Sequence, residues 1–351
     1  MHKHLLKLFL FISFISVSQA PEQTVIAVRG DGIYTLLRKH DLKPRQYYKA
    51  FISLNKKNLT KNNGVFIGRT YILPKKEEAT TKTDTVTSAK TKTVVTSKVI
   101  KTNSKTPRTE EHALFGENHS KLIIKDDNLK GAVYYLVSGH GGPDPGTTTK
   151  YKGKLISEDE YAYDVTLRLA KRLLSHGAKV YIIIKDNNDG IRDKSILEID
   201  YDEVNYNNTK ISKSQKQRLR QRTHIINNLF IKNKGKYQRL IVTHVDSRSK
   251  NKNIDVFFYH HKKSKKGKRL AENILNSFKQ KYAKYQPNRI YSGTIAPRGL
   301  YMVNNTLPAM TYIELGNIKN AKDQKRILNY ENREALANWI YNGLLVDYKS
   351  K

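Results

Sequence analysis

The stretch Gly131-Ala-Val-Tyr-Tyr-Leu-Val-Ser-Gly-His-Gly-Gly-Pro-Asp-Pro-Gly146 places an apolar run directly before a turn rich in glycine and proline. The run has the length and composition of a buried β-strand, and the turn leaves His140 at the carboxyl end of that strand. An imidazole in this position is placed to bind a metal ion. Taken alone, a histidine between glycines is also explained as an ordinary turn residue.

Strand-like and helix-like patterns alternate through the rest of the chain, from about residue 113 to residue 347. The predicted strands lie at 131–137, 178–184, 239–243, 255–259 and 309–313, and the predicted helices at 158–176, 212–231, 268–285 and 321–346, with a break near 329–330. Strands separated by helices predict an α/β fold, with a mainly parallel twisted sheet flanked by helices. In such sheets, functional groups collect beyond the carboxyl ends of the strands.

Three of the predicted strands end on residues that bind metals or move protons, namely His140, His244 and Glu314. Glu158 begins the helix after the His140 turn, where the helix dipole also favours a carboxylate. Two histidines and a carboxylate with one open position make a hydrolytic zinc site, and a further carboxylate can serve as the base. Singly, Glu158 is also explained as an N-terminal helix acid and Glu314 as a solvent-facing acid. The conjunction of all four favours the zinc site.

Several motifs in this order resemble the zinc-dependent N-acetylmuramoyl-L-alanine amidases of bacterial cell walls. They are Ser138–Gly146, Glu158 with Asp164–Lys171 and Gly177–Val180, Thr243–Ser247, and Leu307–Gly316. The resemblance implies that His140, Glu158 and His244 bind Zn²⁺ and that Glu314 is the catalytic acid and base. It also implies the substrate, which is the amide between N-acetylmuramic acid and the L-alanine of the stem peptide in peptidoglycan.

The N-terminal residues 24–74 predict a small β-α-α-β module. Its second helix, at 44–55, carries apolar residues at helical spacing, namely Tyr47, Tyr48, Phe51, Ile52 and Leu54. The module resembles a LysM domain through Gly30-Asp31, Leu54-Asn55 and the closing strand 68–74. The resemblance implies binding to the glycan strands of peptidoglycan. The alternative is a packing module without a ligand.

Residues 1–20 have the pattern of a secretory signal peptide, with basic residues before a short apolar run and small residues at the end. Retention as an uncleaved anchor is the alternative. Residues 75–112 are rich in threonine and lysine and predict a flexible linker, which leaves 113–347 as the catalytic domain. The expected location is across the inner membrane, in the periplasm or cell wall, with no membrane span after signal cleavage.

The chain carries a formal net charge of +34 and has no cysteine. The charge predicts attraction to a polyanion, and the absence of cysteine excludes the Cys-type structural zinc sites. Nucleic acid is a poor candidate, because the basic residues form no stripe interleaved with aromatics and because an exported protein meets cell-wall polymers instead.

Two further alternatives concern regulation and loss of activity. A non-catalytic wall-binding or regulatory protein with an amidase-like fold would have lost ligands, and none of the four is missing here. Residues 189–214 look like an insertion with acidic residues, and in some relatives an inserted helix covers the zinc until a protein partner removes it. We therefore hypothesise a lid and an activating partner. The alternative is an inert surface loop.

Overall fold

The computed structural model describes residues 23–28, 31–42, 44–60, 64–75, 108–246 and 255–351. The predicted signal peptide and residues 76–107 of the predicted linker lie outside the described residues, as does Gly30. The chain divides into two compact units, residues 1–87 and 88–351. None of the helices in the described ranges combines the length and the hydropathy needed to cross a bilayer.

The first unit has the predicted β-α-α-β order. Its elements are β1 (Thr24–Ile26), α1 (Ile33–Lys39), α2 (Pro44–Asn55) and β2 (Thr70–Ile72). Strands β1 and β2 pair antiparallel, and aromatic side chains such as Phe51 and Tyr71 fill the space beneath them. Leu54 differs from the expected pattern, because it is 45% exposed. Asn55, rather than Leu54, turns inward at the end of α2.

Asn55 fastens α2 to the closing strand. Its side chain is buried, and its amide donates to the carbonyl oxygens of Phe51 and Ile72 at 2.8 Å each. Its carbonyl oxygen accepts from the backbone N–H of Ile72 at 2.8 Å. Because both amide protons and the oxygen have partners, the side chain is buried without a desolvation penalty.

The second unit contains twelve strands and six helices within its described residues. The strands are β3 (Thr109–Glu111), β4 (Lys121–Ile123), β5 (Ala132–Ser138), β6 (Thr148–Tyr151), β7 (Lys154–Ser157), β8 (Lys179–Ile182), β9 (Ile184–Lys185), β10 (Val204–Asn205), β11 (Tyr237–Asp246), β12 (Phe257–His260), β13 (Ile295–Pro297) and β14 (Ala309–Asn317). The helices are α3 (Glu158–Ser175), α4 (Gln215–Lys232), α5 (Lys265–Tyr285), α6 (Tyr301–Asn305), α7 (Ala321–Leu328) and α8 (Tyr330–Lys349). Strand β3 lies within the segment predicted as linker and pairs with β4.

A six-stranded sheet in the order β13-β12-β14-β11-β5-β8 forms the centre of this unit. All neighbouring pairs in it are parallel except β12 and β14. Helices α3, α5 and α8 cover one face, and α4 and α6 cover the other. The predicted fold class, a mainly parallel sheet flanked by helices, is therefore confirmed. Side chains of β5 point toward both faces of the sheet, and both faces are covered by helices. All seven residues of the strand are therefore buried.

A fully buried guanidinium holds the helical layer together. The Nε atom of Arg333 in α8 donates to Asp164 Oδ2 in α3 at 2.6 Å. Its Nη atoms donate to four carbonyl oxygens, those of Arg192, Lys194, Ile327 and Leu328. Arg333 and Asp164 are both 0% exposed, so the pair is removed from water and compensated entirely by protein groups.

We expect Arg333→Met to lower the free energy of unfolding by about 3–5 kcal/mol, because it leaves a buried carboxylate and four carbonyl oxygens short of a donor. Urea denaturation followed by circular dichroism measures the change. Arg108→Met is the matched control, since the Arg108 side chain is 73% exposed and pairs only with Glu110. Equal stability of both variants would contradict the assigned role of Arg333.

Candidate metal centre

The structure brings His140, Glu158 and His244 together beside the carboxyl ends of β5 and β11, so that donor atoms of all three lie within 4.8 Å of one another. Glu158 Oε2 lies 3.3 Å from His140 Nε2, and Glu158 Oε1 lies 2.8 Å from His244 Nδ1. Donors arranged tetrahedrally at about 2.0–2.1 Å from a zinc ion would be roughly 3.3 Å apart. Both the donor types and their spacing therefore fit Zn²⁺.

A left-handed turn points the His140 ring into this group. Strand β5 ends at Ser138, and His140 has a φ of 61°, which is uncommon for a residue with a side chain. Gly141 and Gly142 continue the turn with φ values of 95° and 63°. Observed strain of this kind is frequent at functional sites, where the surrounding structure enforces it.

Polar residues on α4 support the turn from behind. His140 Nδ1 lies 3.0 Å from Asp144 Oδ2, and Arg218 donates to the same oxygen. Arg222, one helical turn after Arg218, donates to the backbone carbonyl oxygen of His140. A carboxylate that accepts from one ring nitrogen leaves the other free to bind a metal. Asp144 therefore sets the orientation of His140.

Glu158 is fixed by backbone donors as well as by the histidines. Its Oε2 atom accepts from the N–H of Thr147 at 3.2 Å, and its Oε1 atom accepts from the N–H of Val245 at 3.1 Å. His244 is held on its other side by Tyr312, whose ring stacks on it at 4.5 Å with an interplanar angle of 15°. Both side chains are therefore preorganised.

The electrostatics of the group favour a positive charge between the carboxylates. Burial opposes protonation of His140, but the hydrogen bonds and charges of Asp144 and Glu158 outweigh it and raise the pKa of His140 to about 10. Burial would likewise raise the pKa of Glu158, yet the two histidines hold that pKa well below its usual range. Burial is the main cause of the lowered pKa of His244. A bound cation would satisfy the same carboxylates.

Two glycines give the rings their space. A Cβ atom on Gly139 would lie 2.3 Å from ring atoms of His244. A Cβ atom on Gly146 would lie 2.7 Å from His140 Cδ2 and 2.9 Å from Glu158 Oε2, and Gly146 also has a φ of 68°. Real Cβ atoms do not approach so closely, so both positions require glycine while the histidines keep their places.

Glu314 lies one strand away from the three-residue group. It pairs in register with His244 across the parallel strands β11 and β14, so the two side chains share one face of the sheet at a strand separation of about 4.8 Å. Glu314 is buried, with 8% exposure. Both strands run farther than the sequence predicts, so His244 and Glu314 lie within β11 and β14 rather than after them.

The acidic segment 190–212 forms no helix and is not a detached loop. Leu197 and Ile211 are buried in the cores on either side of the sheet. Glu203 accepts a hydrogen bond from the backbone N–H of Gly142, in the turn that carries His140. The segment therefore stabilises the His140 turn. It contains no helix that could act as the hypothesised lid, and its buried residues show that it is not an inert surface loop.

Sequence reasoning did not assign roles to Asp144, Arg218, Arg222 or Glu203. A partial signal exists for the two arginines, because residues four apart on a helix share one face. Nothing in the sequence indicates that this face lies against the His140 turn.

Residues 135–346, more than half of the 351-residue chain, match the family described as N-acetylmuramoyl-L-alanine amidase. The chain belongs to this amidase family. The matched range includes the four predicted site residues, His140, Glu158, His244 and Glu314.

Solved amidase structures are also similar to this chain. The CwlD amidase from Clostridioides difficile, in complex with the GerS lipoprotein, is 22% identical over 62% of this chain and 99% of that chain, with a TM-score of 0.47. An N-acetylmuramoyl-L-alanine amidase from Clostridium difficile 630 is 19% identical over 64% and 99%, with a TM-score of 0.46. Ami1 from Mycobacterium smegmatis is 16% identical over 64% and 100%, with a TM-score of 0.46. No curated protein matches this amidase.

We expect Gly139→Ala in this amidase to displace His244 and to lower the free energy of unfolding by about 1–3 kcal/mol, because the added methyl group overlaps the ring. Denaturation curves and the chemical shifts of the His244 ring measure the two effects. Gly299→Ala is the control, since the nearest atom to its added Cβ is a side-chain nitrogen of Asn304 at 3.6 Å. An unshifted His244 ring in Gly139→Ala would contradict the steric argument.

Proposed function

We propose that the chain is a zinc-dependent peptidoglycan hydrolase that cleaves the amide between N-acetylmuramic acid and the L-alanine of the stem peptide. The observation that carries this proposal is the preorganised group of His140, Glu158 and His244, inside the region that matches the amidase family. A non-catalytic relative would have no need of such a complete donor set.

In this proposal His140 and His244 would each hold Zn²⁺ through an imidazole nitrogen, and Glu158 would hold it through a carboxylate oxygen. When bound, Zn²⁺ polarises the scissile carbonyl and lowers the pKa of water. Glu314 accepts a proton from the attacking water and delivers it to the nitrogen of the departing L-alanine, so that the amine leaves neutral. Asp144 keeps the His140 ring in place during the reaction through the contact at Nδ1.

The position of Glu314 supports its separate role. Its carboxylate stands beside His244 across the sheet but outside the group of three whose donor atoms lie within 4.8 Å. A carboxylate next to a metal site, rather than in it, can exchange a proton with the substrate.

The fold of the N-terminal unit supports our proposal that this unit binds the cell wall. Residues 24–74 fold as the β-α-α-β order expected for a LysM-like module, and we propose that they bind the glycan strands of peptidoglycan. With a net charge of +34, the chain is also attracted to anionic wall polymers. We further propose secretion through the signal peptide at 1–20, tethering through the linker at 75–112, and action in the periplasm or cell wall. An activating protein partner remains part of the proposal.

Substitutions at the site separate metal binding from catalysis. We expect His140→Ala and His244→Ala to lose both zinc and activity, and Glu314→Ala to keep zinc and lose activity by a factor of about 100 or more. Zinc content by mass spectrometry and release of peptides from purified peptidoglycan measure the two properties. The expected products are free stem peptides with an L-alanine amino terminus.

His224→Ala and Glu272→Ala serve as matched controls, because the His224 ring contacts Asn228 and Glu272 pairs with Lys268, and neither contact belongs to the candidate site. A fully active, zinc-loaded Glu314→Ala would overturn the assigned role of Glu314. A folded, zinc-loaded wild type that releases no stem peptide would favour the non-catalytic alternative.

Removing the N-terminal unit tests its role in wall binding. We expect a chain that begins at residue 108 to bind insoluble peptidoglycan about tenfold more weakly, because the second attachment point is lost. Its turnover of soluble muropeptide fragments should change little, since the candidate site lies entirely within residues 140–314. Sedimentation with purified wall measures binding, and unaltered sedimentation would contradict the glycan-binding proposal.

A further inference from the structure

A second group of carboxylates lies beneath the His140 turn, separate from the site already described. Asp159, Glu160 and Glu203 are all buried, and each offers an oxygen within 4.8 Å of the others. Asp186, Asp200 and Glu203 form a second such group, so Glu203 joins the two. The residues come from the first turn of α3, from the chain just after β9 and from the segment before β10.

Two carboxylates in this cluster, Asp159 and Asp200, each have an oxygen without a hydrogen-bond donor among the described residues. Asp159 is 1% exposed, and its Oδ1 atom accepts from the side chain of Ser157 and from the N–H of Glu160 at 2.9 Å. Its Oδ2 atom is buried and has no hydrogen-bond donor. The Oδ1 atom of Asp200 is likewise buried without a donor. Buried carboxylate oxygens without donors are costly, and in folded proteins they are usually paired or bound to a metal.

The positive groups around the cluster do not balance its charge. Arg192 donates to Glu160 Oε2 at 2.7 Å, but it also pairs with Asp189. Arg222 interacts with Glu203 only through space and donates its hydrogen bond to the His140 carbonyl. Among the residues that the structure describes, five carboxylates therefore face two guanidinium groups, both of which have other partners.

The environment of Glu203 disfavours the negative charge of its carboxylate. Burial is the main cause that raises the pKa of Glu203 to about 8, and the nearby charges of Glu160 and Asp200 raise it further. Its Oε2 atom still accepts from the N–H of Gly142. Glu203 thus stands between the carboxylate cluster and the turn that carries His140.

We propose that Asp159, Glu160, Asp186, Asp200 and Glu203 form a binding site for a structural Ca²⁺ ion. Calcium takes six to eight oxygen ligands at 2.3–2.6 Å, so ligand oxygens on opposite sides of one ion are about 5 Å apart. The cluster offers oxygen donors alone, and within each group of three the oxygens lie inside that limit, with Glu203 common to both groups. Magnesium demands a stricter octahedron with several waters, and zinc prefers nitrogen donors, so both fit this cluster less well.

The proposed ion would tie together three parts of the chain that support the candidate active site. Asp159 directly follows Glu158, Glu203 accepts a hydrogen bond from the N–H of Gly142, and Asp186 and Asp200 form a carboxylate group with Glu203. Binding of Ca²⁺ therefore stabilises the turn and the first residues of α3 in the folded chain. Because the ion binds the folded state alone, its binding raises the melting temperature.

The test uses the full chain, stripped of metals and reloaded with one equivalent of Zn²⁺. We expect calorimetry with CaCl₂ to show one Ca²⁺ bound per chain with a Kd of about 0.1–1 mM. Saturating Ca²⁺ should raise the melting temperature by roughly 5 °C or more. Tb³⁺ provides a second probe, because the Tyr163 hydroxyl contacts the backbone of Asp186 and can sensitise its luminescence.

Conservative variants locate the ion. Asp159→Asn and Glu203→Gln should each weaken Ca²⁺ binding by about tenfold or more, because each replaces a charged ligand with a neutral side chain of similar shape. Glu198→Gln is the matched control, since Glu198 is an exposed acid of the same segment that belongs to neither group. The zinc content of the Glu198→Gln control should equal that of the zinc-loaded wild type.

Three outcomes would overturn the proposal. The first is a wild type that binds no Ca²⁺ at a Ca²⁺ concentration of about ten times the expected Kd. This result would mean that the carboxylates share protons instead of binding a cation. The second is equal affinity for Mg²⁺ and Ca²⁺. The third is unchanged Ca²⁺ binding in a folded Glu203→Gln, and this variant decides the matter if Asp159→Asn does not fold. Each result is independent of hydrolytic activity.

Discussion

The carboxylate of Glu158 is the interaction on which the candidate metal centre depends. It stands at the first residue of α3, buried, and contacts His140 with one oxygen and His244 with the other. Backbone donors from Thr147 and Val245 complete its surroundings. A buried carboxylate needs such partners, so the ends of β5 and β11 and the start of α3 must meet at this point. The central sheet and the helical layer on α3 are the framework that satisfies this requirement.

The sequence alone predicts the parts of this arrangement that depend on local pattern. Apolar runs predict most of the strands of the sheet, and helical spacing predicts α3, α5 and the break between α7 and α8. The approach of His140 and His244 also follows from one rule, that parallel strands end at a common edge, and Glu158 joins them as the first residue of the helix after the His140 turn. Strand lengths are less predictable, because β11 and β14 continue past their predicted ends at Thr243 and Ile313 and include the polar residues His244 and Glu314.

The residues that sequence reasoning overlooks are those that depend on contacts distant in the chain. Arg218 reaches Asp144 across 74 residues, and Glu203 reaches Gly142 across 61 residues. Neither position has a local signal, since arginine on a helix and glutamate in an irregular segment are common on protein surfaces. Their roles follow from burial, which becomes visible in three dimensions. The basic net charge similarly gives no hint that acidic side chains collect below the His140 turn.

The pairing of β5 with β11 determines when the candidate centre can form during folding. Glu158 and His244 are 86 residues apart in the chain, and they meet only after these two strands have joined in register. An unfolded chain therefore has no preformed candidate centre, and metal uptake by the proposed zinc site would follow folding rather than precede it. For the hydrolase proposed above, this order is a safeguard, because a newly made chain lacks the candidate centre until it has folded.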